Sequence, residues 1–206
     1  MTTLLKISTS LYGEAGQSSQ LAERFVQQWL RQHPNGKVLA RDLARNALPH
    51  LDAERFQAFI TKPEERSAAQ KAVVAESDAL IKELQDAQII VLGLPMYNFG
   101  LPSTLKAWFD HIARAGVTFR YTASGPEGLL KGKKAYVFAT RGGQYQGTPL
   151  DTQTSYVRDF LGFLGIAEVE FVYAENLAIS AEAKQASIAR AQDTIGQLLA
   201  PAALAA

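Results

Sequence analysis

The stretch Ile89-Ile90-Val91-Leu92-Gly93-Leu94 is aliphatic at every position but one. A strand with one wet face alternates apolar and polar side chains, so an unbroken run of this kind belongs in the middle of a parallel sheet covered on both faces. Parallel neighbours cannot be joined by tight turns and require crossovers, normally helical ones. The rest of the chain should therefore alternate strand and helix, and it does. Leu4 to Ile7 is a short apolar run bounded by Ser8, Thr9, Ser10 and Gly13. Leu21, Phe25, Trp29 and Leu30 follow at helical spacing, with Ser18 or Ser19 available as a cap and Pro34 and Gly36 as a stop after His33. Lys37 to Leu43 reads as a second strand, and Asp78 to Leu84 as part of a second long helix. Beyond the aliphatic run, Leu101, Leu105, Phe109 and Ile112 form one helical stripe, with Pro102 suited to its first turn and Gly116 closing it. Lys134 to Thr140 is a fourth strand, Arg141 to Pro149 a glycine-rich loop, Val157 to Leu164 part of a helix, Val169 to Tyr173 a fifth strand and Ala181 to Leu199 a last helix. The pattern predicts an α/β fold: a doubly wound, five-stranded parallel sheet with helices on both faces and a switch point between the first and third strands. Residues 1–206 form one domain in this reading, with a frayed tail over Pro201 to Ala206.

Composition narrows the chemistry. A chain of 206 residues, 47% of them hydrophobic, buries enough surface to need no staple. It has no cysteine, which removes thiolate metal sites, iron–sulfur clusters and thiol nucleophiles; we assign no metal site, and redox chemistry would need a borrowed cofactor. A net charge of +1 is too balanced for a nucleic-acid partner. The basic cluster Lys131, Lys133 and Lys134 reads as a solvated turn before a strand. No targeting segment is visible, and the longest apolar stretch, Ile89 to Pro95, is far below the ~18 residues of a membrane span, so a cytoplasmic location is expected, with no membrane partner.

In a doubly wound sheet the loops leaving the first, third and fourth strands meet at the carboxyl edge. The first loop offers Ser10, Gly16, Gln17, Ser18 and Ser19 beside a helix N-terminus, which suits a phosphate without a basic side chain. No glycine set here makes the dinucleotide turn, Gly128 to Lys134 does not spell a nucleotide-hydrolase loop, and the first strand lacks the carboxylates of a phosphoacceptor receiver. A phosphorylated flavin, FMN, fits better. The second loop, Met96, Tyr97, Asn98, Phe99 and Gly100, supplies apolar surface for a ring and backbone donors for the negative charge that reduction brings. The third loop, Thr140, Arg141, Gly142, Gly143, Gln144 and Tyr145, has adjacent glycines that let the backbone approach a planar ring, reach unusual φ/ψ values and bond the pyrimidine edge.

Met96-Tyr97-Asn98-Phe99, Ala113-Arg114-Ala115-Gly116-Val117-Thr118-Phe119, Thr140-Arg141-Gly142-Gly143 and Leu161-Gly162-Phe163-Leu164-Gly165 together resemble the FMN-dependent NADH azoreductases, grouped with the NAD(P)H quinone reductases. The resemblance spans nearly the whole chain. It implies a flavodoxin-like homodimer that binds one FMN per subunit near the interface and uses NADH or NADPH to reduce azo dyes and quinones by an alternating two-substrate (ping-pong) mechanism. By the same resemblance Ser10 and Gly16 to Ser18 hold the phosphate, Met96 to Phe99 the ring, and Thr140 to Gly143 the pyrimidine edge. Thr140 stands where a serine is common. Tyr121 and Phe163 fall where the family brings aromatics to the substrate cavity, and Phe119 is grouped with them; the stretch 44–66 faces substrate and varies among relatives.

On this reading the flavin carries the chemistry and no catalytic side chain is assigned. His33 and His50 read as surface residues, and His111 lies off the apolar stripe of its helix. The alternatives are an electron carrier of the flavodoxin kind or a flavoprotein sensor acting on protein partners. The first is disfavoured by the lack of acidity, since charge steers such partners; the second stays open.

Overall fold

The computed structural model describes residues 2–200. The expected tail 201–206 lies outside them, as does Met1. Five parallel strands form the sheet: β1 (Thr3–Ser8), β2 (Lys37–Asp42), β3 (Ile89–Pro95), β6 (Lys134–Thr140) and β7 (Glu168–Ala174), in the order β2-β1-β3-β6-β7. A separate antiparallel hairpin pairs β4 (Phe119–Thr122) with β5 (Gly125–Gly128). The helices are α1 (Gln17–Gln32), α2 (Ala53–Ile60), α3 (Ala68–Asp86), α4 (Ser103–Ile112), α5 (Thr154–Phe163) and α6 (Ala181–Leu198).

β3 is central, and its side chains supply both cores. Ile90, Leu92 and Leu94 enter the layer under α3, α4 and α5 with Leu80, Trp108, Phe109 and Leu161. Val91 enters the layer under α1 and α6 with Phe25, Trp29, Phe138 and Ile195. Each large side chain so buried contributes about 1.5–3 kcal/mol. Gly93 breaks the aliphatic run because α1 begins above it: a Cβ there would stand 3.3 Å from the Ser18 carbonyl oxygen. Because α1 leaves β1 to one face while α3 serves β3 on the other, a crevice opens between the two strands at their carboxyl ends.

Two elements lie outside the sequence expectations. α2 forms inside the stretch 44–66, capped by Asp52, whose carboxylate accepts from Arg55 N at 2.8 Å. The β4–β5 hairpin has strands of four residues each, too short for their alternation to be read. It packs so closely on the turn after α5 that a Cβ at Gly128 would fall 2.0 Å from Gly165 N. Three local readings also change. His111 is fully buried, its Nδ1 2.8 Å from the Ala107 carbonyl oxygen, because α2 covers the α4 face on which it lies. Pro102 precedes α4 as its cap residue. In the basic cluster, Lys133 is only partly solvated: its Nζ donates to the carbonyls of Gln85 and Ala87 at the end of α3, and partial burial lowers its pKa.

Candidate functional site

The loops after β1, β3 and β6 meet at the crevice in a cavity of about 160 Å³. Ser10, Gly16, Gln17 and Ser18 line it from the first loop, Met96 and Tyr97 from the second, and Thr140, Arg141 and Gly142 from the third, joined by Tyr12, Pro95 and Leu177. Asn98, Phe99 and Gly143 belong to the same loops just outside this lining.

The first loop is built around Gly16. It occupies the cap position of α1 in an extended conformation, and no side chain caps the helix. The expected Ser18 or Ser19 cap does not form, since both serines lie inside the first turn. The cap position goes to glycine for a steric reason: a Cβ at Gly16 would lie 2.0 Å from Ser10 Oγ. The first-turn N–H groups of Gln17, Ser18 and Ser19 are thus left to an outside acceptor. The Ser18 and Ser19 hydroxyls are buried and find no partner among the described residues. Free first-turn donors, a buried unpaired hydroxyl and a positive helix end are the donor set of a dianion site.

The second loop is a tight reversal. Tyr97 and Gly100 form an antiparallel bridge, with Gly100 N donating to Tyr97 O at 2.9 Å. Asn98 and Phe99 between them both have positive φ, 49° and 58°. Asparagine tolerates this; phenylalanine pays about 1–2 kcal/mol for it. Such strain persists where a site needs it. Phe99 is half exposed, edge-on to Tyr145 with centroids 5.4 Å apart. The Tyr97 hydroxyl accepts from Leu11 N at 3.1 Å and so ties the second loop to the first.

The third loop hangs on Arg141, whose side chain is directed into the protein. It is 1% exposed, and its guanidinium donates to Glu175 at 3.2 Å, to Asp151 at 2.6 Å and to Thr154 at 3.1 Å. Glu175 also accepts from Tyr145 N and Gln146 N, both at 2.8 Å. Burial raises the Asp151 pKa, the Arg141 and Thr154 hydrogen bonds lower it, and the net result is a pKa below the ordinary carboxylate value. The carbonyls of Arg141, Gly142 and Gly143 accept from Leu177, Ala178 and Asn176, which leaves the N–H groups of Gly142 and Gly143 without an acceptor among the described residues. Neither glycine has a positive φ, so the expectation of unusual backbone angles there is not met. Their smallness matters instead: a Cβ at Gly143 would stand 2.7 Å from the Tyr145 hydroxyl.

Phe119, Tyr121 and Phe163 do not reach this cavity. α5 starts beside the cavity and runs ten residues, about 15 Å, before ending at Phe163. There Phe163 packs on Phe119 at 4.4 Å. Phe119 is a core residue, buried against that helix end, and only Tyr121 of the three is exposed. Sequence reasoning passed over Asp151, Thr152, Gln153 and Thr154, which hold the second and third loops; the one visible signal was a polar run ahead of a helix. A larger crevice of about 880 Å³ opens beside β2. Its floor is the Lys6–Glu23 ion pair, and it lacks the aromatic surface a flavin ring needs.

A family model described as the flavodoxin-like fold matches residues 2–199. The chain belongs to the flavodoxin-like fold family. Within it, the chain is similar to an FMN-dependent NADH:quinone oxidoreductase of Cellvibrio japonicus, 54% identical over 97% of this chain and 100% of that one. It is likewise similar to the FMN-dependent NADH:quinone oxidoreductase 6 of Burkholderia lata, 52% identical over 95% of this chain and 98% of that one. Among solved structures, an azoreductase of Bacillus anthracis superposes with a TM-score of 0.89 at 26% identity, covering 97% of this chain and 99% of that one. The flavodoxin-like switch point is the cavity described above. Among the described residues no helix is long and apolar enough to cross a membrane.

Proposed function

We propose that this chain is an FMN-dependent NADH:quinone oxidoreductase, the function named for its 54%-identical relative. One observation carries the reading: a single cleft combines an uncapped helix start and a buried unpaired Ser18 hydroxyl with the free N–H groups of Gly142 and Gly143. Bound there, FMN supplies two-electron transfer between a nicotinamide and an acceptor. The first-turn N–H groups of α1, with Ser10 and Ser18, hold its phosphate. Met96 and the turn Tyr97–Gly100 wall its ring, and the donors at Gly142 and Gly143 take the pyrimidine edge. Arg141 acts through the loop it anchors, its two Nη groups being engaged by Glu175 and Asp151.

The acceptors are quinones and, by likeness to the azoreductase structures, azo compounds. With FMN held in so open a cleft, donor and acceptor would use the same space in turn, and the kinetics would be ping-pong. The chain works as a homodimer. Support comes from the shallow cleft, from exposed Leu11, Tyr12 and Phe99 around it, and from Tyr121, which is exposed on the β4–β5 hairpin away from its own cleft and is offered to the partner's. Steady-state rates at several fixed quinone concentrations should give parallel double-reciprocal lines against NADH. Intersecting lines exclude the alternating scheme, and an absence of turnover with NADH and any quinone excludes the enzyme in favour of a carrier or sensor.

A further inference from the structure

Gln153 is fully buried at the start of α5, between the second and third loops. Its Nε2 donates to the carbonyl of Pro95, the last residue of β3, at 3.0 Å and to the carbonyl of Gly100, the last residue of the strained turn, at 3.0 Å. The neighbouring Thr152 hydroxyl donates to the Phe99 carbonyl. The two flanking residues of the same stretch grip the third loop: Asp151 and Thr154 accept from Arg141. Among the described residues, Asp151 to Thr154 is therefore the one segment whose side chains hydrogen-bond to both of these loops. The Gln153 Oε1 finds no donor among the described residues although it is buried. An apolar side chain of the same size would avoid that unpaired oxygen, so the value of the amide lies in its two N–H bonds. Two left-handed residues in a row do not hold themselves; something must over-determine them.

We propose that Gln153 is a positioning residue, which clamps the end of β3 to the last residue of the Tyr97–Gly100 turn and so sets how tightly the N–H groups of Asn98 and Phe99, which find no acceptor among the described residues, would hold the reduced flavin relative to the oxidised one. The inference rests on the FMN-reductase reading of the same cleft. Backbone donors aimed at the ring favour the form that carries negative charge, and their effect depends on being held in place before reduction occurs. Releasing the carbonyls of Pro95 and Gly100 would let the turn relax from its left-handed angles and shift its free N–H groups.

The test compares Gln153→Met with Gln153→Glu in the FMN-loaded protein. Methionine keeps the volume without a donor; glutamate keeps the shape, has no donor when ionised and regains one when protonated. The measurements are the FMN dissociation constant, from fluorescence quenching, and the two-electron reduction potential, from equilibration with a reference dye. Gln153→Met should weaken the preference for reduced FMN about tenfold, a fall in potential of about 30 mV by the two-electron relation. Gln153→Glu should show the same loss at neutral pH and recover toward the parent value as the solution is acidified, a recovery that a simple packing role does not predict. An unchanged potential in Gln153→Met overturns the proposal. Should that variant fail to fold, a Gln153→Glu protein with the parent potential at all pH values overturns it equally. If the parent protein neither binds FMN nor is reduced by NADH, the underlying reading fails instead, and the two failures are told apart by that control.

Discussion

Placing a methyl group at Gly16 tests the phosphate cradle with a steric argument that can be worked from distances. In Gly16→Ala the new Cβ would stand 2.0 Å from Ser10 Oγ and 2.5 Å from Ser10 Cβ. Ordinary contacts lie near 3.5–4 Å, so Ser10 must retreat by more than about 1 Å. Ser10 is buried, its Oγ accepts from Tyr12 N at 3.2 Å, and Thr9 beside it is tied to the Gly93 carbonyl at 2.7 Å. The retreat costs the neutral bond to Tyr12, about 1 kcal/mol of loop stability, and withdraws a hydroxyl donor from the phosphate, about 1.5–3 kcal/mol of binding. At 1.4 kcal/mol per decade the FMN dissociation constant should rise roughly tenfold to hundredfold. Fluorescence titration of the apoprotein with FMN reads this directly, and circular dichroism should show the fold retained. Ser10→Gly removes both clashing atoms, so in its background Gly16→Ala should cost less than about threefold. That non-additivity is the signature of direct contact. Independent, additive losses in the two single variants would refute the steric account of Gly16, as would an unchanged affinity in Gly16→Ala alone.

At Phe99 the left-handed φ of 58° should make Phe99→Val less stable than Phe99→Gly by about 1–2 kcal/mol, despite valine's greater hydrophobicity; thermal unfolding of the apoprotein orders the two. Arg141→Met leaves two buried carboxylates without their cation and should cost about 3–5 kcal/mol in urea unfolding. Asp151 has a folded pKa below its ordinary value of 3.8, so its contribution is fully present above that value and is lost as pH falls through the lowered one. The stability gap between the parent and Asp151→Asn should accordingly hold from neutrality to mildly acidic pH and close only in stronger acid. Gly143→Val meets only the movable tip of Tyr145, so FMN affinity should fall by less than about tenfold, by titration, with much of the loss removed in a Tyr145→Ala background.

The sheet was legible because its signals are local and strong. The aliphatic Ile89 to Leu94 can hardly be anything but a central parallel strand, and the Phe25–Trp29 stripe nothing but a buried helix face. The three loops followed from topology, since any doubly wound sheet gathers them at its switch point. The details that sequence could not supply depend on contacts between distant segments. That Gly16 is there to make room for Ser10, that Gly143 makes room for Tyr145, and that Arg141 turns inward to Glu175 are facts of tertiary approach, invisible to spacing. The burial of His111 was not foreseen because the helix covering it, α2, has a short, weak pattern of its own. Gln153 escaped notice for a related reason: a polar residue before a helix reads as a cap, and nothing in its neighbours announces that its amide reaches the carbonyls of Pro95 and Gly100.

Anaerobic titration of the FMN-loaded protein with NADH, followed by a quinone, addresses the central claim most directly. The visible absorbance of the oxidised flavin should bleach with one equivalent of NADH per FMN and return in full when one equivalent of quinone is added, with no other protein present. A yellow protein that NADH leaves unbleached, or that stays bleached in the presence of quinone, would contradict the account.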